Sequence, residues 1–126
     1  MQTYIEYLGI KEEKMRISKE LIKGSTTMLI LELLGDENMY GYQMIKKLSE
    51  KSENIFELKE GTLYPILHSL EENNLITSYW DNSTAKRRKY YAITEKGKKQ
   101  LKERKEEWKL FSNGINKVIG GALFEN

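Results

Sequence analysis

Between residues 60 and 76 one proline, two asparagines and a set of apolar side chains leave the chain few ways to fold. Leu63, Ile66, Leu67 and Leu70 recur at helical spacing and make a single apolar stripe. Pro65 limits where that helix begins, because a proline inside a helix has no amide donor and its ring presses on the carbonyl four residues back. With Thr62 as N-cap, Pro65 falls in the first turn, where no hydrogen bond is lost. With a start nearer Glu60, Gly61 absorbs the bend. Asn73 and Asn74 tolerate a left-handed turn before Leu75 and Ile76 begin something extended. The side opposite the stripe carries Thr62, Tyr64, Pro65, His68, Ser69 and Glu72, small or hydrogen-bonding groups rather than a run of Lys and Glu. That side suits a groove; the competing reading is an ordinary core helix with a wetted back.

The 126 residues amount to one domain with an appendage, enough to bury a real core. No apolar run is long enough to span a bilayer, and the first residues lack a basic-then-apolar signal pattern, so a cytoplasmic protein without membrane association is expected. The absence of cysteine excludes disulfides, a thiolate nucleophile and cysteine-based zinc sites. With one histidine, no phosphate-cradling glycine loop and adjacent Glu71 and Glu72 pointing apart on a helix, neither an enzyme nor a cofactor is expected. Net charge is only +2, but Thr84 to Lys105 carries ten Lys and Arg against Glu95 and Glu103. That segment is +8 and the remainder −6, the segregation expected of a protein that meets a polyanion with one region. For Lys96 to Lys105 a solvated helix explains the charge equally well.

Taken in order, residues 1–24 read as an N-terminal extension and helix, with Gly9 and Gly24 as breaks. Ser25 to Gly35 reads as a buried helix with capping residues in front and a glycine behind. Tyr40, Met44, Ile45 and Leu48 set a helical period, and Gly41 at its start implies a close approach, since glycine costs about 1 kcal/mol against alanine in a helix interior. Ile55 to Leu58 fits a very short strand or an extended connector. After the central helix, Leu75 to Trp80 and Arg88 to Ile93 are rich in β-branched and aromatic residues and flank a turn-forming Asp81 to Ala85. The result is a basic hairpin with Lys86, Arg87, Arg88 and Lys89 at its tip and along its second strand. Both alternating sets of that hairpin carry aromatics, so the inward face is not fixed, although Tyr79, Trp80, Tyr90 and Tyr91 are expected to hold it on the body.

Thr94 caps a final helix along which Leu101, Trp108, Phe111, Ile115, Val118 and Ile119 form an apolar stripe that reads as a dimerisation seam. The alternative is a helix folded back on its own domain. Gly114 and Gly120–Gly121 are places where it ends or bends before an apolar tail, Ala122-Leu123-Phe124. The expected fold class is α+β, mainly α: a winged helix-turn-helix over residues 25–94 with a two-stranded wing, then a long C-terminal dimerisation helix and tail over 95–126. An uncharged reader face beside a basic wing points to double-stranded DNA, the helix reading base edges and the wing meeting phosphates. A winged-helix module for protein partners is the alternative.

Three blocks extend this. Met39-Tyr40-Gly41-Tyr42-Gln43-Met44-Ile45, then Glu60-Gly61-Thr62-Leu63-Tyr64-Pro65-Ile66-Leu67 with Leu70-Glu71, then Lys89-Tyr90-Tyr91-Ala92-Ile93-Thr94 with Gly97, resemble the PadR family of bacterial transcriptional regulators, in its short form with a single C-terminal helix. The resemblance covers about Ile22 to Leu110; residues before Lys14 lie outside it. It implies a winged helix that dimerises through its last helix and binds an inverted-repeat operator, usually as a repressor. It places Thr62, Tyr64, Pro65 and His68 at the major groove and Lys86, Arg87, Arg88 and Lys89 on phosphates. It also implies an aromatic or drug-like effector at the dimer interface near Trp108, supported by Phe111 and by Tyr4, Ile5 or Leu8; a plain dimer anchor is the other role for Trp108. Where family members commonly carry a Gly-Arg-Pro-Arg string in the wing, this chain has Ala85-Lys86-Arg87-Arg88, which keeps the charge and changes the turn.

Overall fold

The computed structural model describes residues 17–120. The elements in chain order are α1 (Lys19–Asp36), β1 (Met39–Tyr40), α2 (Gly41–Lys51), α3 (Glu60–Glu72), β2 (Ile76–Asp81), β3 (Arg88–Ile93) and α4 (Glu95–Ile119). Among the described residues this is a mainly helical α+β chain with one antiparallel sheet in the order β1-β3-β2. The expected extension contacts of Tyr4, Ile5 and Leu8 and the tail Ala122–Phe124 lie outside the described residues.

The first helix differs from expectation. It starts at Lys19, capped by the Ser18 hydroxyl, which accepts from the Leu21 amide, and runs through Gly24 without a break, crossing the expected boundary between residues 24 and 25. Ser25 and Thr26 do not cap it. Their hydroxyls donate backwards to the carbonyls of Leu21 and Ile22, a local bond that satisfies a polar side chain inside a helix. Its buried face, Thr26, Ile30, Leu31, Leu33 and Leu34, lies against α2, β3 and α4.

Tyr40, expected inside the next helix, instead forms β1 with Met39 and then serves as the N-cap of α2, its amide donating to Gln43 Oε1 at 3.1 Å. β1 pairs with β3 through Met39 opposite Tyr91 and Tyr40 opposite Tyr90, adding a third strand that two residues of sequence do not announce. Ile55 to Leu58 is the connector rather than a strand, and Leu58 plugs the core.

α3 begins at Glu60, so Pro65 lies well inside it. Of the two registers open in the sequence, the start at Glu60 is realised: Pro65 has no amide to donate to the Gly61 carbonyl, and Gly61 is exposed. Leu63, Leu67 and Leu70 are fully buried and Ile66 half-buried, as the stripe requires. Asn74 takes the left-handed conformation at φ 61°, after which Leu75 and Ile76 enter the core. Thr94 caps α4 by accepting from the Gly97 amide at 3.0 Å while its hydroxyl reaches the carbonyls of Asn74 and Leu75, locking the base of the hairpin.

Candidate nucleic-acid interface

Along α3 the buried leucines point inward and Thr62, Tyr64, Pro65, His68 and Ser69 are all exposed on the other side. His68 Nε2 stands 3.0 Å from Glu72 Oε1, one turn along, so the histidine points along the helix surface toward a carboxylate. Tyr64 is 44% exposed, and its phenol lies over Gly41, where a Cβ would collide with the hydroxyl and come within 2.8 Å of the ring carbon bearing it. The close approach implied by Gly41 is therefore the seat of an α3 side chain on the start of α2.

Strand register sorts the wing into two faces, since directly opposed residues share a face and neighbours along a strand alternate. Ile76 opposes Ile93, Ser78 opposes Tyr91 and Trp80 opposes Lys89, and this face carries the buried Ile76 and Tyr91 onto the helices. Ser78 donates to the Glu71 carboxylate of α3, which ties the hairpin to that helix. Burial pushes the Tyr91 phenol above its ordinary pKa, with Tyr64 and Glu71 adding to the effect. Farther out on the same face Lys89 Nζ lies 5.7 Å from the Tyr91 ring centroid, and the Arg87 guanidinium lies 4.3 Å from the centre of the Trp80 ring.

The reverse face holds Tyr79 opposite Tyr90 and Asp81 opposite Arg88. Tyr79 and Tyr90 stack at 5.8 Å, Tyr90 meets Tyr40 edge-on at 5.4 Å, and Arg88 covers Tyr40 at 4.6 Å. The four basic residues are thus not one cluster: Arg87 and Lys89 lie on the side of α3, Arg88 behind the sheet, and exposed Lys86 at the tip. Three of the four aromatics hold the hairpin on the body, Tyr91 in the core, Tyr90 against Tyr40 and Tyr79 by accepting from the Asn38 amide at 3.1 Å, while half-exposed Trp80 meets Arg87 of the hairpin itself. The arginine–aromatic stacks were missed because both alternating sets carry rings, and only the register separates them. At the tip Asp81 accepts from the Ser83 amide at 2.9 Å, and that bond with the Ser83 side chain holds the carboxyl below its usual pKa.

On α4 the expected seam divides. Leu101 is 9% exposed and belongs to the chain's own core, beside Gly35, which removes it from the outward stripe. Trp108, Phe111, Ile115, Val118 and Ile119 remain uncovered, with the Trp108 and Phe111 rings 5.8 Å apart. Gly114 continues the helix and Gly120 ends it with φ 93°. Part of the basic run is used locally: Lys96 donates to the Asn73 carbonyl, Lys98 pairs with Glu95 and Lys105 with Glu32. Among the described residues no group of three or more His, Cys, Asp or Glu could hold a metal ion, and no helix is long and apolar enough to cross a membrane.

Comparison with known proteins agrees with this geometry. Residues 30–103 match the model of the transcriptional regulator PadR-like family. An uncharacterized protein of Lysinibacillus sphaericus is 37% identical over 93 residues, 73% of this chain and 85% of that protein. The transcriptional regulator YqjI of Escherichia coli is 29% identical over 104 residues, 82% of this chain; the chain spans about half of its length, 49%. The solved structure of a transcriptional regulator from Clostridium thermocellum superposes with a TM-score of 0.76 at 38% identity, covering 81% of this chain and 100% of that one. The chain belongs to the PadR-like family of transcriptional regulators.

Proposed function

We propose that the protein is a homodimeric, sequence-specific DNA-binding repressor that inserts α3 into the major groove of each half of an inverted repeat and lays its wing on the flanking backbone. The observation that carries this reading is the shared face. The uncharged reader surface of α3 and the cationic side of the wing, Arg87 and Lys89, are tied together through Ser78 and Glu71, so one rigid unit offers hydrogen-bonding groups to base edges and positive charge to phosphates. Thr62, Tyr64, Pro65, His68 and Ser69 are the reading set. Lys86 and Arg88 contribute charge at the tip and behind the sheet. Dimerisation through Trp108, Phe111 and Ile115 buries apolar surface that one protomer leaves in water, and sets the two reader helices about 34 Å apart, one helical turn of DNA. A small aromatic or drug-like effector fits the same interface beside Trp108, where its occupancy would relieve operator binding.

The test is binding of the purified protein to the promoter upstream of its own gene, beside random duplex of equal length, at several salt concentrations. Promoter-selective binding that weakens steeply with salt, and is lost in an Arg87→Ala/Arg88→Ala double mutant, supports the reading. Equal, weak binding to both duplexes without salt dependence sinks it and favours a protein partner for the same surfaces.

A further inference from the structure

We propose that Trp80 is a positioning residue for DNA binding: its indole pre-orders the guanidinium of Arg87, so the wing offers that charge from a fixed place. The inference rests on the reading of the wing as a DNA contact. Trp80 lies in β2 one residue from the turn, half exposed, outside the core cluster and directly across from Lys89. The Arg87 guanidinium stacks on it, 4.3 Å from the ring centre. Among the described residues no carboxylate is within ion-pair distance of Arg87, and the nearest acid along the strand, Asp81, is opposed to Arg88 and turned toward Ser83.

The choice of partner has a chemical consequence. An arginine held by a carboxylate spends its N–H edge on that bond, whereas an arginine stacked on a ring spends only the flat face and keeps its in-plane donors free for phosphate oxygens. Tryptophan is the strongest ring for this purpose. The wing turn is held by the Ser83 amide on Asp81 and the Thr84 hydroxyl on the Lys86 carbonyl, bonds that fix backbone and leave the long Arg87 side chain to be ordered by the indole. Reducing the freedom of a contact group before binding lowers the ordering cost at binding.

A double-mutant cycle on the full-length protein tests this against promoter duplex: wild type, Trp80→Ala, Arg87→Ala and the pair, with Trp80→Phe as the conservative variant. Trp80→Ala is expected to weaken binding about two- to fivefold per protomer, the range of an exposed cation–π contact, and so about 5- to 25-fold for a dimer that uses two wings. Its salt slope is expected to stay near wild type because the charge still reaches DNA, whereas Arg87→Ala lowers that slope by about 0.9 per protomer, about 1.8 for a dimer on two half-sites. The double mutant is expected to match Arg87→Ala alone, and Trp80→Phe to restore most of the affinity. A silent Trp80→Ala, or losses that simply multiply in the pair, overturns the proposal while leaving the regulator reading intact. Failure of the wild type to select its promoter removes both. Should Trp80→Ala not fold, Trp80→Leu, which keeps bulk without a π face, replaces it in the cycle.

Discussion

Gly97→Ala is expected to destabilise the protein although it places the better helix former near the start of a helix. A Cβ at residue 97 would overlap the carbonyl oxygen of Leu75 and stand 2.7 Å from Ile93 Cγ1. The carbonyl cannot retreat cheaply, because it accepts from both the amide and the hydroxyl of Thr94 at 3.0 Å, the bonds that close the base of the hairpin. Overpacking of this kind costs about 3 kcal/mol when the opposing atom is fixed. The alanine returns about 1 kcal/mol in helix propensity, leaving a net loss of about 2 kcal/mol. For 126 residues that lowers Tm by about 6–10 °C. The assay is thermal unfolding followed by circular dichroism at one fixed protein concentration, since the proposed self-association would make Tm depend on concentration. Gly24→Ala is the control: it lies exposed inside α1, away from the proposed seam, with nothing within 4 Å of its added Cβ, and is expected to raise stability by about 0.5–1 kcal/mol. A Gly97→Ala melting at or above the wild-type temperature refutes the argument.

Leu101→Ala should cost about 2–3 kcal/mol of protomer stability with little change in self-association, whereas Trp108→Ala should shift the dimer toward monomer in sedimentation. Ser78→Ala, which strips the Glu71 carboxylate of its hydroxyl donor, should cost about 1.5 kcal/mol and weaken promoter binding more than an exposed Thr77→Ala does. Tyr91 supplies a pH test. Its folded pKa is raised above the ordinary 10.0, so the unfolded chain releases the proton first; stability is intact below that value and falls as pH rises through the folded pKa. Ultraviolet titration should show one late phenol that is missing in Tyr91→Phe, and that variant should lose the alkaline stability slope.

What the residues disclosed depended on periodicity. The α3 stripe and its opposite face, the Asn74 turn, the Thr94 cap and the close approach at Gly41 each follow from local chemistry and are present in the structure. Where two partners satisfy the same group, the sequence was silent. Ser25 and Thr26 read as caps, yet their hydroxyls find carbonyls one turn back, so the helix continues. Met39 and Tyr40 carry no strand pattern and are extended because β3 offers them a free edge. Leu101 fits the outward stripe by spacing, but α1 lies against the first half of α4 and not the second. The hairpin faces depended on a register that rings on both sides concealed.

The unbroken course of α4 has a mechanical consequence. Thr94 at its cap and Trp108 on its uncovered half are separated by fourteen residues, about 21 Å of straight helix. The cap end is bolted to the hairpin base and to the end of α3 by the Thr94 and Lys96 bonds, while the Trp108 end is free of the body. The helix is then an arm with its load at one end and its bearing at the other. A rotation of about 10° at the Trp108 bearing swings the load by roughly 4 Å over an arm of that length, comparable with the rise between successive base pairs. Two such arms joined at their bearings would convert a small repacking around one tryptophan into a change of spacing between two reading heads.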